Sequence, residues 1–321
     1  MGCKMLAAEK IVITTLVENY VDMLIPNTEN VKRPGLAYHF DTRNMKIKAE
    51  NGLALLVDVY FGGQCYRILL DTGLTDDVIL HNMKALGIAP DEIDHVVISH
   101  GHPDHYGGLL GLLKAREFPL TVTLHPDAFL TRHVYTQSGM VIPFYNQTFV
   151  REELEAEGAR FVLAKDPVPV CPACMTTGEI PLDVSFEPPG PPSGTPTSLW
   201  CVRDGKFEED PTLDDLAVIV NLKDKGLVVV TGCAHAGVIN TIRQAQKVTG
   251  VNNLHTLMGG FHLGFPGIPE EKGVNTIEEL KKLNPSYVSP MHCSGFRTLA
   301  AVQKEMPEAF LLNTAGTQVT L

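Results

Sequence analysis

The sequence predicts an α/β protein built in two halves, and three observations carry that reading. First, Val96-Val97-Ile98 is a β-branched apolar run that stops at Ser99 and opens onto His100, His102, Asp104 and His105, with a helical pattern from Tyr106 to Lys114 behind it. Second, the same order recurs later. The apolar run Gly226–Thr231 opens onto Gly232-Cys233-Ala234-His235 and then onto a helical pattern from Val238 to Val248. Third, Gly52–Phe61 and Tyr66–Leu70 read as the arms of a hairpin that turns at Gly62-Gly63. Open α/β sheets place their sites where strands end and loops begin.

Taken in order, Lys10–Val17 is the first strand. The stretch to about Ala49, with Pro26, Pro34 and Gly35, reads as a surface loop lining the site, in which His39 is solvated. The hairpin follows and ends in Asp71-Thr72-Gly73. Asp77 to Leu86 is a helix closed by Gly87, and Asp94 to Ser99 is the strand that carries the histidine loop. Thr121–His125 is another strand; His125 is a turn residue or, less favourably, a ligand. Residues 166–196 are dense in proline and read as an irregular insertion, a lid over the site, within one domain spanning 1–321. Asp215–Asn221 and Gly226–Thr231 form a second strand pair. Leu254–Met258 leads into Gly259-Gly260-Phe261-His262-Leu263. Ser286 begins a strand ending at His292, Arg297–Glu305 is a helix, and a strand pair from Phe310 closes the chain.

Composition narrows the function classes. Hydrophobic residues make up 44% of the 321, enough for a large core. The net charge of −11 argues against a protein that grips nucleic acid, which needs a basic face. There is no apolar run of about 18 residues, so no membrane span is expected. The N-terminal residues lack the apolar centre of a signal peptide, and seven scattered cysteines suit reduced thiols in a cytoplasm. Cys171-Pro-Ala-Cys174 is one CxxC without a partner pair, so two free thiols are the simpler reading than a structural zinc. Homo-oligomerisation is left open.

The chemistry concentrates in His100–His105. Three imidazoles and a carboxylate within six positions, shaped by Gly101, Pro103 and Gly107-Gly108, point to divalent metal. His100 and His102 alternate and can face one ion. Asp104 and His105 are adjacent and can serve a second. Zinc is favoured, with iron, manganese and magnesium as alternatives. In Gly259-Gly260-Phe261-His262, the glycines allow close backbone approach, and His262 reads as a substrate contact or proton donor before a ligand.

His100-Gly-His-Pro-Asp-His105 resembles the signature of the metallo-β-lactamase superfamily. That resemblance implies an αββα sandwich of two mixed β-sheets flanked by helices, and usually a site of two metals. It implies that Asp71, in Leu-Leu-Asp-Thr-Gly, supports the metal loop from behind the ligands, and that His292 is a late ligand. The superfamily's usual Gly-Asp turn is here Gly232-Cys233, so Cys233 or His235 completes the set. Segments including Val17-Glu-Asn-Tyr20, Thr231-Gly-Cys-Ala-His-Ala-Gly237 and Met291-His-Cys-Ser-Gly295 are similar to the branch that includes archaeal 7,8-dihydropterin-6-methyl-4-(β-D-ribofuranosyl)aminobenzene 5′-phosphate synthase. Asn19 is read there as a substrate contact. The resemblance implies hydrolysis of an ester, lactone or phosphoester of a small molecule, with Asp104 orienting or deprotonating the attacking water. Pterin-linked C–N bond formation is the alternative, and iron-based redox chemistry a third.

Overall fold

The computed structural model describes residues 5–136, 138–144, 149–190 and 198–321. The first half of the chain runs β1 (Lys10–Val17), β2 (Val31–Lys32), α1 (Leu36–Phe40), β3 (Ala54–Phe61), β4 (Gln64–Leu70), α2 (Asp76–Ala85), β5 (His95–Val97), α3 (Pro103–Tyr106), α4 (Leu109–Lys114) and β6 (Leu120–Leu124). The middle holds β7 (Thr131–Tyr135), β8 (Val141–Pro143), α5 (Arg151–Ala156), β9 (Ala159–Leu163), β10 (Pro169–Cys171), β11 (Cys174–Thr176), β12 (Leu199–Arg203) and β13 (Lys206–Glu209). The second half runs β14 (Ala217–Leu222), β15 (Gly226–Thr231), α6 (Val238–Thr249), β16 (Leu254–Gly260), α7 (Glu270–Leu283), β17 (Tyr287–Met291), α8 (Gly295–Glu305) and β18 (Gln318–Thr320).

Two large sheets face each other. The first has the order β2-β18-β1-β3-β4-β5-β6-β9 and the second β10-β11-β14-β15-β16-β17. Each contains an antiparallel hairpin, β3–β4 or β14–β15, whose second arm begins a run of parallel strands. The two halves anticipated from the sequence are therefore two copies of one strand plan. Period-2 alternation decides what each face meets. On β3, Leu55, Val57 and Val59 point inward to Val218, Val220, Val228 and Val230 of the other sheet. Ala54 and Leu56 point outward to Ile79, Met83, Leu109 and Leu112 of α2 and α4. On the far side, Ile239, Ile242, Leu280 and Val302 of α6, α7 and α8 cover the second sheet. Helix, sheet, sheet and helix give four layers with three apolar seams. Each fully buried Val, Leu or Ile contributes about 1.5–3 kcal/mol.

The structure departs from the sequence reading in five places, one being the end of the chain, where Phe310–Leu321 holds the single strand β18, paired with β1 and β2, and no strand pair of its own. The loop to residue 49 contains β2 and α1. The helix expected from Tyr106 is divided into α3 and α4 at Gly107 and Gly108, where a side chain would strike the carbonyl oxygens of Leu74 or Thr72, and the first helix begins already at Pro103. The proline-rich insertion is not irregular throughout: β10 and β11 form a hairpin that extends the second sheet through β14. Pro169 is tolerated because β10 is the edge strand. Pro191, Pro192 and Pro196 lie outside the described residues. Finally, a third sheet, β13-β12-β7-β8, was not anticipated at all. None of the described helices is long and apolar enough to cross a membrane.

Leu55 is fully buried between the sheets and Leu24 is 73% exposed. Leu55→Ala should lower unfolding free energy by about 2–5 kcal/mol, and Leu24→Ala should change it by less than about 0.5. Urea unfolding followed by circular dichroism checks both.

Candidate metal centre

The ends of β4, β5, β15, β16 and β17 converge at one edge of the sandwich. They deliver Asp71, the His100–His105 loop, Cys233 and His235, His262, and His292. Asp71, Ala234, His262 and His292 all sit at positive φ, between 49° and 61°. Non-glycine residues hold that conformation only where surrounding structure over-determines it, and such strain gathers at functional sites.

Two donor sets meet there. In the first, Nε2 of His100 lies 2.9 Å from Nδ1 of His102 and 3.2 Å from Nε2 of His235. In the second, Oδ2 of Asp104 lies 3.2 Å from Nε2 of His292 and 3.8 Å from Nε2 of His105. Cys233 stands between them, its Sγ 3.1 Å from Nε2 of His105 and within 4.8 Å of the His100 donor. Nitrogen ligands at 2.0–2.1 Å on a tetrahedral ion are about 3.3 Å apart, so the spacing fits a small divalent cation at each set.

A carboxylate behind the loop fixes which nitrogens face inward. Asp71 Oδ1 accepts from the Ser99 amide, and its Oδ2 accepts from the Ser99 hydroxyl and from Nδ1 of His105. The Ser99 oxygen, its proton spent on Asp71, accepts in turn from Nδ1 of His100 at 2.9 Å. Both imidazoles therefore carry their proton on Nδ1 and present the Nε2 lone pair to the site, the tautomer a ligand needs. Burial, reinforced by neighbouring imidazoles, holds the pKa of His100 and His235 well below the ordinary value; for His102, burial acts with the Arg132 charge. All three stay neutral, as ligation requires. Desolvation would raise the Asp104 carboxyl, but His105 and His292 outweigh it and keep the group well below its usual range. Nε2 of His292 is buried with the Asp104 carboxylate beside it at 3.2 Å. Converging lone pairs and an ionised carboxylate are together the chemistry a cation satisfies.

Two further carboxylates and a guanidinium brace the loop. Gly101, between the first two histidines, donates its N–H to Asp214 Oδ2 at 2.7 Å and accepts from Arg132 Nη1 at 3.2 Å. Arg132 bridges to Asp214 Oδ1 and Asp210 Oδ2, both at 2.6 Å, with all three side chains fully buried. A side chain on Gly101 would overlap the carbonyl of Ala128, so only glycine fits this clamp. Asp215 accepts from the Ala236 amide and steadies the turn bearing His235.

The expected residues fall into place unevenly. His100, His102 and His235 come together, as do Asp104, His105 and His292, with Cys233 beside both. His262 belongs to neither set. Its ring lies 4.0 Å from that of His235 and stacks on Phe265 at 4.5 Å. Asn19 does not line the cavity, contrary to expectation. Its Nδ2 donates to the His292 carbonyl and its Oδ1 faces Nδ1 of that ring, so it holds a ligand instead. His125 pairs with Glu179. Cys171 and Cys174 face each other across their hairpin and join no donor group among the described residues. Among the described residues, none of the proline-rich segment lines the cavity of about 210 Å³ at the site, which is walled by Val134, Phe144, Leu199 and Phe265. Three groups escaped the sequence reading. Cys293, next to His292, brings its thiol within 4.8 Å of Cys233 and His292. Glu18 accepts from the His292 amide. Arg132 gave no local signal, whereas the Asp214-Asp215 pair ahead of an apolar strand was a visible one.

Comparison with known proteins gives the family and the fold. Residues 50–292 match the family described as the metallo-beta-lactamase superfamily. The chain is 33% identical, over 92% of its length and 98% of the relative's, to 7,8-dihydropterin-6-methyl-4-(beta-D-ribofuranosyl)-aminobenzene-5'-phosphate synthase of Methanocaldococcus jannaschii. Among solved structures it resembles a metal-dependent hydrolase of the β-lactamase superfamily, with a TM-score of 0.71, 23% identity, and 97% and 98% of the two chains covered. It also resembles zinc-bound PqqB of Methylobacterium extorquens, with a TM-score of 0.52, 15% identity, and 97% and 99% covered.

Two outcomes follow from this geometry. Replacing Arg132 by Met leaves Asp210 and Asp214 buried without their cation. It should cost about 3–5 kcal/mol of stability and weaken metal binding about tenfold to a hundredfold, read by thermal unfolding and by Co²⁺ titration. Glu18 is fully buried, and burial pushes its carboxyl up from 4.5 to about 7. The folded state thus binds a proton the unfolded state releases, so stability falls as pH rises from 4.5 to about 7 and levels off above. Glu18→Gln should remove that slope in metal-stripped protein, a difference on the order of 3 kcal/mol, measured by urea unfolding across the interval.

Proposed function

Because the chain belongs to the metallo-β-lactamase superfamily, we propose that it is a metal-dependent hydrolase of a small-molecule ester, lactone or phosphoester. The observation that carries this reading is the pair of donor sets sharing one wall of a cavity of about 210 Å³. Divalent ions held by His100, His102 and His235 and by Asp104, His105 and His292, with Cys233 between, would supply an acidified water and polarise the scissile bond. Zinc suits the imidazole and thiolate donors, with iron, manganese and magnesium as the alternatives that elemental analysis separates.

The chain's own residues divide the remaining work. Asp104, held ionised by its two histidines, orients the attacking water by accepting a hydrogen bond from it. Burial lowers the His262 pKa to about 3, so this imidazole is neutral and has no surplus proton to give. It therefore serves as an N–H donor to the oxygen on which charge develops. Phe144 and Phe265 line the mouth and exclude bulk water, which strengthens both interactions. The net charge of −11 and the size of the cavity favour a small substrate over nucleic acid. Free thiols at all six described cysteines suit a cytoplasmic setting.

A second reading is C–N bond formation on a pterin, favoured by the 33% identity to the synthase. Metal-loaded protein should hydrolyse p-nitrophenyl acetate, a lactone or bis(p-nitrophenyl) phosphate. His102→Ala should lower that turnover by more than about a hundredfold, beyond the loss of an outer partner. Formation of a pterin adduct, with every ester and lactone left intact, would favour the synthase reading and overturn hydrolysis.

A further inference from the structure

The hairpin of β10 and β11 carries Cys171-Pro-Ala-Cys174, which the metal centre does not use. Its two cysteines are directly opposed across a turn of two residues, Pro172 and Ala173. Opposed residues in an antiparallel pair have Cα atoms about 4.5–5.5 Å apart, inside the roughly 4.4–6.8 Å that a disulfide spans. We propose that Cys171 and Cys174 are a redox-active dithiol that exchanges with low-molecular-weight disulfides and closes reversibly into an intramolecular bond. The proposal is independent of the reaction at the metal cavity.

The two thiols differ as an attacking and a resolving thiol must. Cys171 is partly exposed, and β10 is the outermost strand of its sheet, so a small disulfide reaches that sulfur without displacing a strand. Cys174 is 1% exposed, lies opposite Val220 of β14 and packs into the seam between the large sheets. The Cys174 thiol and, after it, the amides of Ala173 and Cys174 donate to the Cys171 sulfur. They outweigh burial and the nearby Asp94 charge, so the Cys171 thiol ionises more readily than a free one. Burial, together with the hydrogen bond it gives Cys171, pushes the Cys174 thiol well above the ordinary value. An accessible sulfur disposed to form thiolate beside a buried partner is the microenvironment of a reactive pair.

The hairpin holds the sulfurs in place. The Thr176 amide donates to the Val168 carbonyl at 2.9 Å, the Val168 amide to the Thr176 hydroxyl at 3.0 Å, and the Asn221 amide to the Ala173 carbonyl at 3.2 Å. Among the described residues no third histidine, cysteine or carboxylate donor joins the pair, so a zinc ion would find two of its four ligands. Exchange completes the pair without further ligands. The Cys171 thiolate, its proton gone to solvent, attacks one sulfur of a disulfide RSSR, forming a mixed disulfide and releasing one thiolate. Cys174 passes its proton to that thiolate and attacks the Cys171 sulfur. The intramolecular bond forms, the mixed disulfide breaks, and the second thiolate leaves and takes a proton from solvent. The cysteines lose two electrons and two protons, and RSSR becomes two thiols. Only two residues separate the cysteines, so the bond removes little chain entropy and is readily reduced again.

Metal-loaded protein equilibrated in buffers graded from glutathione to glutathione disulfide, then acid-quenched, unfolded, alkylated and mapped by mass spectrometry, tests this directly. The peptide holding residues 171–174 should lose both alkyl labels together as the buffer becomes oxidising, and dithiothreitol should restore both. In Cys174→Ser, Cys171 should instead carry one glutathione. In Cys171→Ser, Cys174 should keep its label and take no glutathione. Both labels retained at every ratio in the natural sequence, or a bond from either sulfur to a third cysteine, would overturn the dithiol. Resistance to oxidation that EDTA abolishes would overturn it as well, in favour of a metal ion held by the two sulfurs.

Discussion

The Asp71 carboxylate is the constraint on which the site depends. It is fully buried at the end of β4 and takes three hydrogen bonds, two from Ser99 and one from His105. Through Ser99 it also sets the tautomer of His100. One acidic side chain thus aims a nitrogen lone pair into each donor set. Without it the two imidazoles could rotate or exchange tautomers, and the loop would carry donors without direction.

The sandwich exists to bring that carboxylate and its dependents to one place. Apolar alternation on β3 and β14–β15 seals the sheets together, and the strand plan, repeated in each half, brings five strand ends to one edge. The cost of assembling neutral histidines, an ionised Asp104 and several positive-φ residues is local and is offset by the apolar seams around it. The third sheet adds a different contribution. Its strand β7 sends Arg132 under Gly101, and its neighbours wall the cavity, so the sheet the superfamily signature says nothing about both braces the loop and shapes what can enter.

Much of this was legible in the residues. The β-branched run before His100 and its echo before Cys233 gave the strand ends, because buried parallel strands need continuous apolar sequence and their loops carry the polar chemistry. The helix break after Tyr106 was not legible: Gly107 and Gly108 could not announce that the chain at Thr72 and Leu74 lies against them. The contact of Asn19 with His292 was hidden for the same reason. His292 is 273 positions away, and nothing local shows which way the Asn19 amide turns. Arg132 and Glu18 became visible only through long-range contacts, whereas Cys293 sat beside a recognised ligand and could have been weighed. Sequence periodicity reports what a residue's own strand does; it is silent on which distant backbone group that residue will serve.

The central claim is that two donor sets each hold a divalent ion. Anomalous diffraction from crystals of metal-replete protein, collected above and below the absorption edge of the metal found by elemental analysis, tests it most directly. The account predicts one peak about 2.0–2.3 Å from the His100, His102 and His235 donors and a second within the same range of Asp104, His105 and His292. No peak at either set, or ions bound only at surface carboxylates, would contradict it.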